Sequence, residues 1–319
     1  MKIKAAICFS LFLITLSLVT SFADEKEADY TVAMVWTALD PCGRPGAMGR
    51  AYTAAVNDVS ATYWNPGALG FLNKPELTLM HEPRGVESNS EMFFDYGAFV
   101  YPTDYGNFAI SLQYHNMGES ERTDEAGNPL GTMHSYGINP WITYSKRINE
   151  QLSVGGSAKY DYEHLFSGGG GTSSAFCADG GVQYRPMQQL WAGIALTNIG
   201  PKVNGSELPR TVRLGVASNI YKDNLNDFTL SADIHKVLVN LDDGFATEFA
   251  QSAFCGGAEY FYFNLVGVRV GYYDLEYGNI IGLTFGAGVR YAGFAFDYAN
   301  VPVGGFGEEN RFSLSYRLP

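Results

Sequence analysis

From Pro75 to the C-terminus the chain alternates apolar and polar side chains with a period of two, a separation that strands produce and helices cannot. In Gln151–Glu163, Leu152, Val154, Ala158, Tyr160 and Tyr162 share one face. Ser153, Ser157, Lys159, Asp161 and Glu163 share the other. The same split sets Phe108, Ile110, Leu112 and Tyr114 against Ala109, Ser111, Gln113 and His115. It recurs in the last run, where Phe312, Leu314, Tyr316 and Leu318 oppose Arg311, Ser313, Ser315 and Arg317. Such runs number about fourteen, the first near residues 75–82 and the last near 310–318.

Every strand then needs its apolar face covered, by a second sheet in a soluble sandwich or by lipid around a barrel. Runs of roughly ten residues match the span of a tilted transmembrane strand. The polar face carries Lys159, Asp161, Arg213, Asp233, Arg269 and Arg290 among Gly and Ser, as a hydrated or plugged lumen would. Tyr101, Tyr105, Tyr160, Tyr162, Tyr260, Tyr262 and Tyr291 gather near run ends, which suits interfacial girdles. Closure also removes edge strands that would expose unpaired backbone to hydrocarbon. The expected fold is therefore all-β: a transmembrane antiparallel β-barrel of about 14 strands. Turn signals stand at Pro102-Thr103-Asp104, Ile148-Asn149-Glu150 and Pro186-Met187-Gln188. Longer connections are expected near Asn116–Leu130, Leu165–Gly171, Val237–Ala246 and Asn300–Glu309.

The N-terminus sets the compartment. Lys2 and Lys4 precede the apolar run Ala5–Thr20, and Ser21-Phe22-Ala23 offers small residues for cleavage near Ala23, so residues 1–23 read as a signal peptide. No Cys follows that cut to take a lipid anchor. Removing Lys2 and Lys4 leaves 19 basic against 33 acidic residues, a net charge of −14 that disfavours nucleic acid. Cys42, Cys177 and Cys255 remain, an odd count that fits no zinc motif. One bridge or three buried free thiols are both open.

Between the cut and the barrel, residues 24–72 lack a strand period. Asn57–Gly70 (NDVSATYWNPGALG) carries Trp64 beside a helix-breaking Asn65-Pro66, and Thr37–Leu72 spaces small and apolar residues almost helically. Asp58 is a candidate N-cap for a turn through Trp64, and Asn65-Pro66 would end it. A segment this apolar is expected inside the lumen as a plug, with Arg44, Arg50 and Asp58 pairing with charged wall residues. Residues 73–319 form the barrel.

The stretch Gly43–Leu72 resembles the N-terminal signature of PorV/PorQ proteins, within the wider FadL-like outer-membrane barrels. Gly46, Met48, Gly49, Asp58, Trp64, Asn65 and Pro66 carry the likeness. Gly67 stands where Ala is usual, and Arg50 where a small residue is common. The resemblance implies a fourteen-stranded barrel filled by its N-terminus, in the outer membrane of a Gram-negative-type envelope. For PorV/PorQ members it implies a part in type IX secretion, acting with secretion-machinery or cargo proteins. For FadL-like members it implies passive uptake of hydrophobic small molecules by plug rearrangement and a side opening in the wall. The expected function is the secretion role, with hydrophobic transport as the alternative and a structural barrel as the third possibility.

No catalytic constellation, metal motif or cofactor site emerges, and no enzyme activity is expected. His81, His115, His134, His164 and His235 are scattered without ligand spacing, and Ser167–Thr172 lacks the Lys of a phosphate loop. Lys222–Asp227 has oxygen donors without calcium-loop spacing.

Overall fold

The computed structural model describes residues 32–85, 91–124, 126–165, 171–238, 252–275, 280–302 and 307–319. The expected signal peptide lies outside them. Fourteen strands follow in order: β1 (Glu76–Arg84), β2 (Met92–Thr103), β3 (Gly106–Thr123), β4 (Pro129–Arg147), β5 (Leu152–Leu165), β6 (Gly171–Met187) and β7 (Leu190–Ile199). The second half comprises β8 (Thr211–Lys222), β9 (Asn226–Val237), β10 (Ala253–Tyr262), β11 (Val266–Leu275), β12 (Ile280–Tyr291), β13 (Phe294–Pro302) and β14 (Glu308–Arg317). Each pairs antiparallel with its neighbours in sequence. β1 closes the barrel against β14, with Glu76 opposite Arg317 and Leu79 opposite Leu314. Closure satisfies the backbone of every strand without water, which hydrocarbon demands.

The parity read from the sequence holds around the wall. Ile110, Ile142, Phe285 and Leu314 point outward and are about half exposed. Ser111, Thr143, Thr284 and Ser313, one residue away, are buried inside. Outward aromatics meet as tilted pairs at both margins. At one margin Phe93, Tyr114, Tyr136 and Tyr162 form a chain of ring contacts. At the other, Phe108 meets Tyr144 at 5.0 Å and Phe294 meets Tyr316 at 4.4 Å. Taking about 3.4 Å per residue and a tilt of about 40°, Tyr105 to Tyr114 rises about 23 Å, close to the apolar band of outer-membrane barrels.

Tight turns, such as Asp104–Tyr105 and Ala292–Gly293, join strands at the end where β1 begins and β14 finishes. This end is called the turn end below, and the opposite one the loop end. Most of the connections expected near 165–171, 237–246 and 300–309 lie outside the described residues. The connection expected over Asn116–Leu130 is corrected: most of it is strand. β3 and β4 stay paired from Glu119–His134 to Thr123–Pro129, beyond the last pairs with β2 (Phe93–Asn116) and β5 (Tyr136–His164). A register shift after Asn116 breaks the alternation there, which disguised a ribbon as a loop.

The main core lies inside the barrel. Tyr52, Val56, Val59, Trp64 and Leu69 of the N-terminal segment pack on Met80, Phe94, Tyr96, Ala98, Val100, Ala109 and Trp141 of β1–β4. This inner wall is apolar because it faces side chains, not water. β2 therefore carries large apolar residues on both faces.

Candidate functional site

The N-terminal segment runs through the whole bore. At the loop end Val32 bridges Glu207, and the Ala33 amide donates to the Glu207 carbonyl at 2.9 Å. Lower down, Gln113 donates to the Leu39 carbonyl at 3.1 Å, and the Gly43 amide donates to Ser313 Oγ at 2.7 Å. A single-turn helix, Gly43–Ala47, lies against β12 and β13. A second, Ala61–Trp64, leads through Asn65 into a 3-10 turn over Pro66–Phe71. At the turn end Asn107 Nδ2 donates to the carbonyls of both Leu69 and Leu72.

The fit between segment and wall is set by glycine. Three inward-facing cross-strand glycine pairs lie against the segment: Gly155–Gly181, Gly193–Gly215 and Gly257–Gly271. A Cβ on Gly155 would meet the Pro66 carbonyl carbon at 2.6 Å, and one on Gly193 the Thr53 carbonyl oxygen at 2.5 Å. On Gly215 it would meet the Ala54 amide at 3.0 Å, and on Gly271 the Gly49 Cα at 2.6 Å. Gly286 receives the Ala47 methyl. Glycine weakens a strand interior, so such pairs mark where another backbone comes close. Gly49 itself adopts φ 59°, a left-handed conformation that suits glycine.

The residues of the sequence motif make specific contacts. Gly46 lies under Arg311, and Met48 is buried against Gly257. The Gly49 amide donates to Thr284 Oγ1 at 3.1 Å. Asp58 accepts from Tyr52 Oη at 2.5 Å, Arg44 Nη1 at 3.1 Å and the Ser60 amide at 3.0 Å. Trp64 is fully buried, edge-on to Tyr52 and Tyr63. Asn65 Nδ2 donates to the Thr53 carbonyl and to Gln183 Oε1, both at 3.0 Å, while Asn65 Oδ1 accepts from the Gly67 amide at 3.0 Å. Pro66 fills the notch at Gly155.

The lumen charges divide into two groups. Asp233 takes the Tyr52 and Thr53 amides at 3.0 and 2.7 Å, and Arg213 donates to the Tyr63 carbonyl at 2.9 Å, so both hold the segment. Arg269 bridges Glu259 and Asp297, at 2.7 Å each, and Glu259 in turn binds Arg44 through two bonds of 2.7 Å. Lys159 and Asp161 instead serve the wall. Lys159 pairs with Asp179 at 3.2 Å and donates to Asn198 at 2.9 Å, while Asp161 accepts from Cys177 Sγ at 3.1 Å. Arg290 lies over the Phe261 ring at 3.8 Å and reaches Asn264.

Two expected pairings are corrected. Arg50 binds Asp40 at 3.2 Å and Asp58 binds Arg44, both within the N-terminal segment, not on the wall. The wall contacts go to partners the sequence did not single out: Glu259 for Arg44, and Arg311 for Asp40 at 2.6 Å. Glu259 and Arg311 both face the lumen, and parity says nothing of height along the bore. Burial pushes the Asp40 carboxyl up, and the Arg311 and Arg50 guanidiniums outweigh it, holding it well below the usual carboxylate range. Cys42, Cys177 and Cys255 are all free and buried.

The outer wall carries a cavity of about 710 Å³ across β2–β6. Outward-facing Phe99, Phe108, Ile110, Ile142 and Tyr144 rim it, and lumen-facing Ala109, Thr143, Ser157 and Asp179 contribute to its lining. Gly156 lines it, and its cross-strand partner Gly180 would meet nothing within 4 Å of an added Cβ. The sheet is uncovered there.

No family model matches the chain, and no curated protein does. Solved structures do match. TbuX, a toluene transporter of Ralstonia pickettii, aligns with a TM-score of 0.59 at 13% identity, covering 88% of this chain and 100% of its own. CymD, a monoaromatic hydrocarbon channel, gives 0.54 at 14%, covering 90% and 98%. A FadL homologue of Pseudomonas aeruginosa gives 0.52 at 12%, covering 86% and 97%. At these identities the likeness is one of fold; the first two neighbours are named as a transporter and a channel. The chain is a closed fourteen-stranded antiparallel barrel with the fold of FadL-type outer-membrane proteins.

Proposed function

We propose that this protein lies in the outer membrane and passes small hydrophobic molecules, with residues 24–72 as the plug of a barrel formed by residues 73–319. The observation that carries the reading is the wall cavity. It is apolar, it opens toward lipid, and its lining combines lipid-facing and lumen-facing residues where Gly156 and Gly180 leave the sheet bare. A solute that partitions into hydrocarbon gains about 0.8 kcal/mol per methylene, so a lateral exit spares it the aqueous step. The fold neighbours named as a toluene transporter and a monoaromatic hydrocarbon channel support the substrate class. Plug side chains and lumen charges act in this reading as anchors that keep the straight path shut.

The test is uptake of radiolabelled toluene by cells whose outer membrane carries this chain as the added channel. The intact protein should raise the initial rate above that of cells without it, and Gly156→Trp, which fills the cavity from outside, should remove most of the gain. No gain with the intact protein refutes transport. An undiminished gain with the variant refutes the lateral route.

A second reading, a PorV/PorQ-type role in type IX secretion with secretion-machinery or cargo partners, rests on the motif in Gly43–Leu72. The fold comparisons lend their weight to transport instead. A deletion strain that retains type IX cargo in its periplasm would reverse that preference.

A further inference from the structure

A cluster of cations without counter-ions lies at the turn end, apart from the plug–wall network. Arg147 closes β4, Arg185 lies near the end of β6, and β5 runs between them. Both guanidiniums rest on the ring of Phe71, the last residue of the plug's 3-10 turn, at 5.3 and 4.0 Å from its centroid. Arg147 is held by its own turn, donating from Nε to the Asn149 carbonyl at 3.1 Å and from Nη2 to the Glu150 carbonyl at 3.3 Å. Arg185 Nε is buried and meets no hydrogen-bond partner. Among the described residues neither guanidinium has a carboxylate within ion-pair distance. Arg44, Arg269, Arg311 and Arg317 each have one at 2.7 Å or less.

Two like charges gathered on one ring, with donors left over, raise the free energy of the site when empty. An anion with several oxygens would relieve it, and planar guanidinium forks match phosphate oxygens in paired hydrogen bonds. Position agrees with this chemistry. Tyr144 and Tyr184 point outward from the same two strands, in the aromatic margin that marks membrane headgroup depth. We propose that Arg147 and Arg185, seated on Phe71, bind a phosphate group at the turn end of the bore.

A phospholipid headgroup and a soluble phosphate share this chemistry, and two probes separate them. The full chain, folded in detergent, is titrated with inorganic phosphate under phosphorus NMR and with phosphatidylglycerol under native mass spectrometry. Binding should saturate, weaken at least tenfold in the R147Q/R185Q variant, and weaken less in R185K, which keeps the charge but loses the fork. Heat-modifiable gel mobility reports whether each variant has folded, and R185K alone carries the comparison if the double variant has not. Phosphatidylglycerol retained without inorganic phosphate assigns the headgroup, and inorganic phosphate alone assigns a soluble ligand. Absence of saturable binding by either probe, or equal binding by intact protein and variants, overturns the proposal.

Discussion

Replacing Gly271 with Ala should loosen the plug, and the same change at Gly256 should not. The two residues are on adjacent strands, since Gly257 pairs with Gly271 and Gly256 with Tyr272, but they face opposite ways. An added methyl at Gly271 would lie 2.6 Å from the Gly49 Cα and closer still to the Gly49 amide, both backbone atoms that no rotamer change can move. At Gly256 it would meet nothing within 4 Å. Overpacking a filled interior costs about 1–3 kcal/mol, and a clash with backbone belongs at the upper end. Ala in place of Gly returns about 0.5–1 kcal/mol through chain entropy. The net expectation is a loss of about 2 kcal/mol for Gly271→Ala and a gain of up to about 1 kcal/mol for Gly256→Ala. Urea titration in lipid vesicles, followed by the fluorescence of buried Trp36 and Trp64, measures both. A displaced plug should also raise ion leak across a planar bilayer. Equal midpoints for the two variants would refute the claim that glycine sets the plug–wall spacing.

Other expectations follow from the same contacts. Glu259→Gln leaves Arg44 and Arg269 short of charge in a buried setting and should lower stability by about 3–5 kcal/mol in the urea assay. Asn65→Ala strands the Gly67 amide and the Thr53 carbonyl, for about 2–3 kcal/mol. Because the Asp40 carboxyl is held below its unfolded value, its contribution is complete at neutral pH. It is lost only as pH falls below about 4 toward the depressed value, so the difference in urea midpoint between the intact protein and Asp40→Asn should be constant from pH 6 to 8 and shrink in acid. Cys42, Cys177 and Cys255 should resist maleimide in the folded barrel and all react after unfolding, as counted by mass spectrometry.

The barrel was legible because an apolar outer surface and a filled bore impose an alternation of faces. That alternation runs cleanly along β14, whereas β2 is apolar on both faces and register shifts interrupt the β6–β7 and β8–β9 pairs. It failed at Asn116–Leu130, where the β3–β4 ribbon leaves the sheet and both faces meet solvent. The glycine pairs were visible as residues but not as a pattern. Gly155 and Gly181 lie far apart in sequence, and their opposition depends on register. Ion partners were hidden for a related reason. Parity assigns Glu259 and Asp233 alike to the lumen, yet one meets Arg44 and the other a pair of plug amides, and only height along the bore separates them.

The same contacts weigh on how a solute could cross. A straight path requires the plug to part from the wall, which means giving up the Arg44–Glu259 and Asp40–Arg311 pairs together with the amide bonds to Asp233. Each buried pair, once separated, costs several kcal/mol. A six-carbon solute leaving sideways into hydrocarbon gains about 5 kcal/mol and disturbs none of those pairs. The cavity at Gly156 also lies on β5 and β6, where the plug contacts at Gly155 and Gly181 are made by Asn65, Pro66 and Gly67, none of them charged, and the Lys159–Asp179 pair beside them belongs wholly to the wall. Local movement of that turn breaks no ion pair between plug and wall. On the transport reading, Gly67→Pro, which stiffens the turn and removes the amide bonded to Asn65, should slow uptake more than Glu259→Gln does, although the latter costs more stability. The opposite order would mean that the plug moves as a whole and that the wall is a bystander.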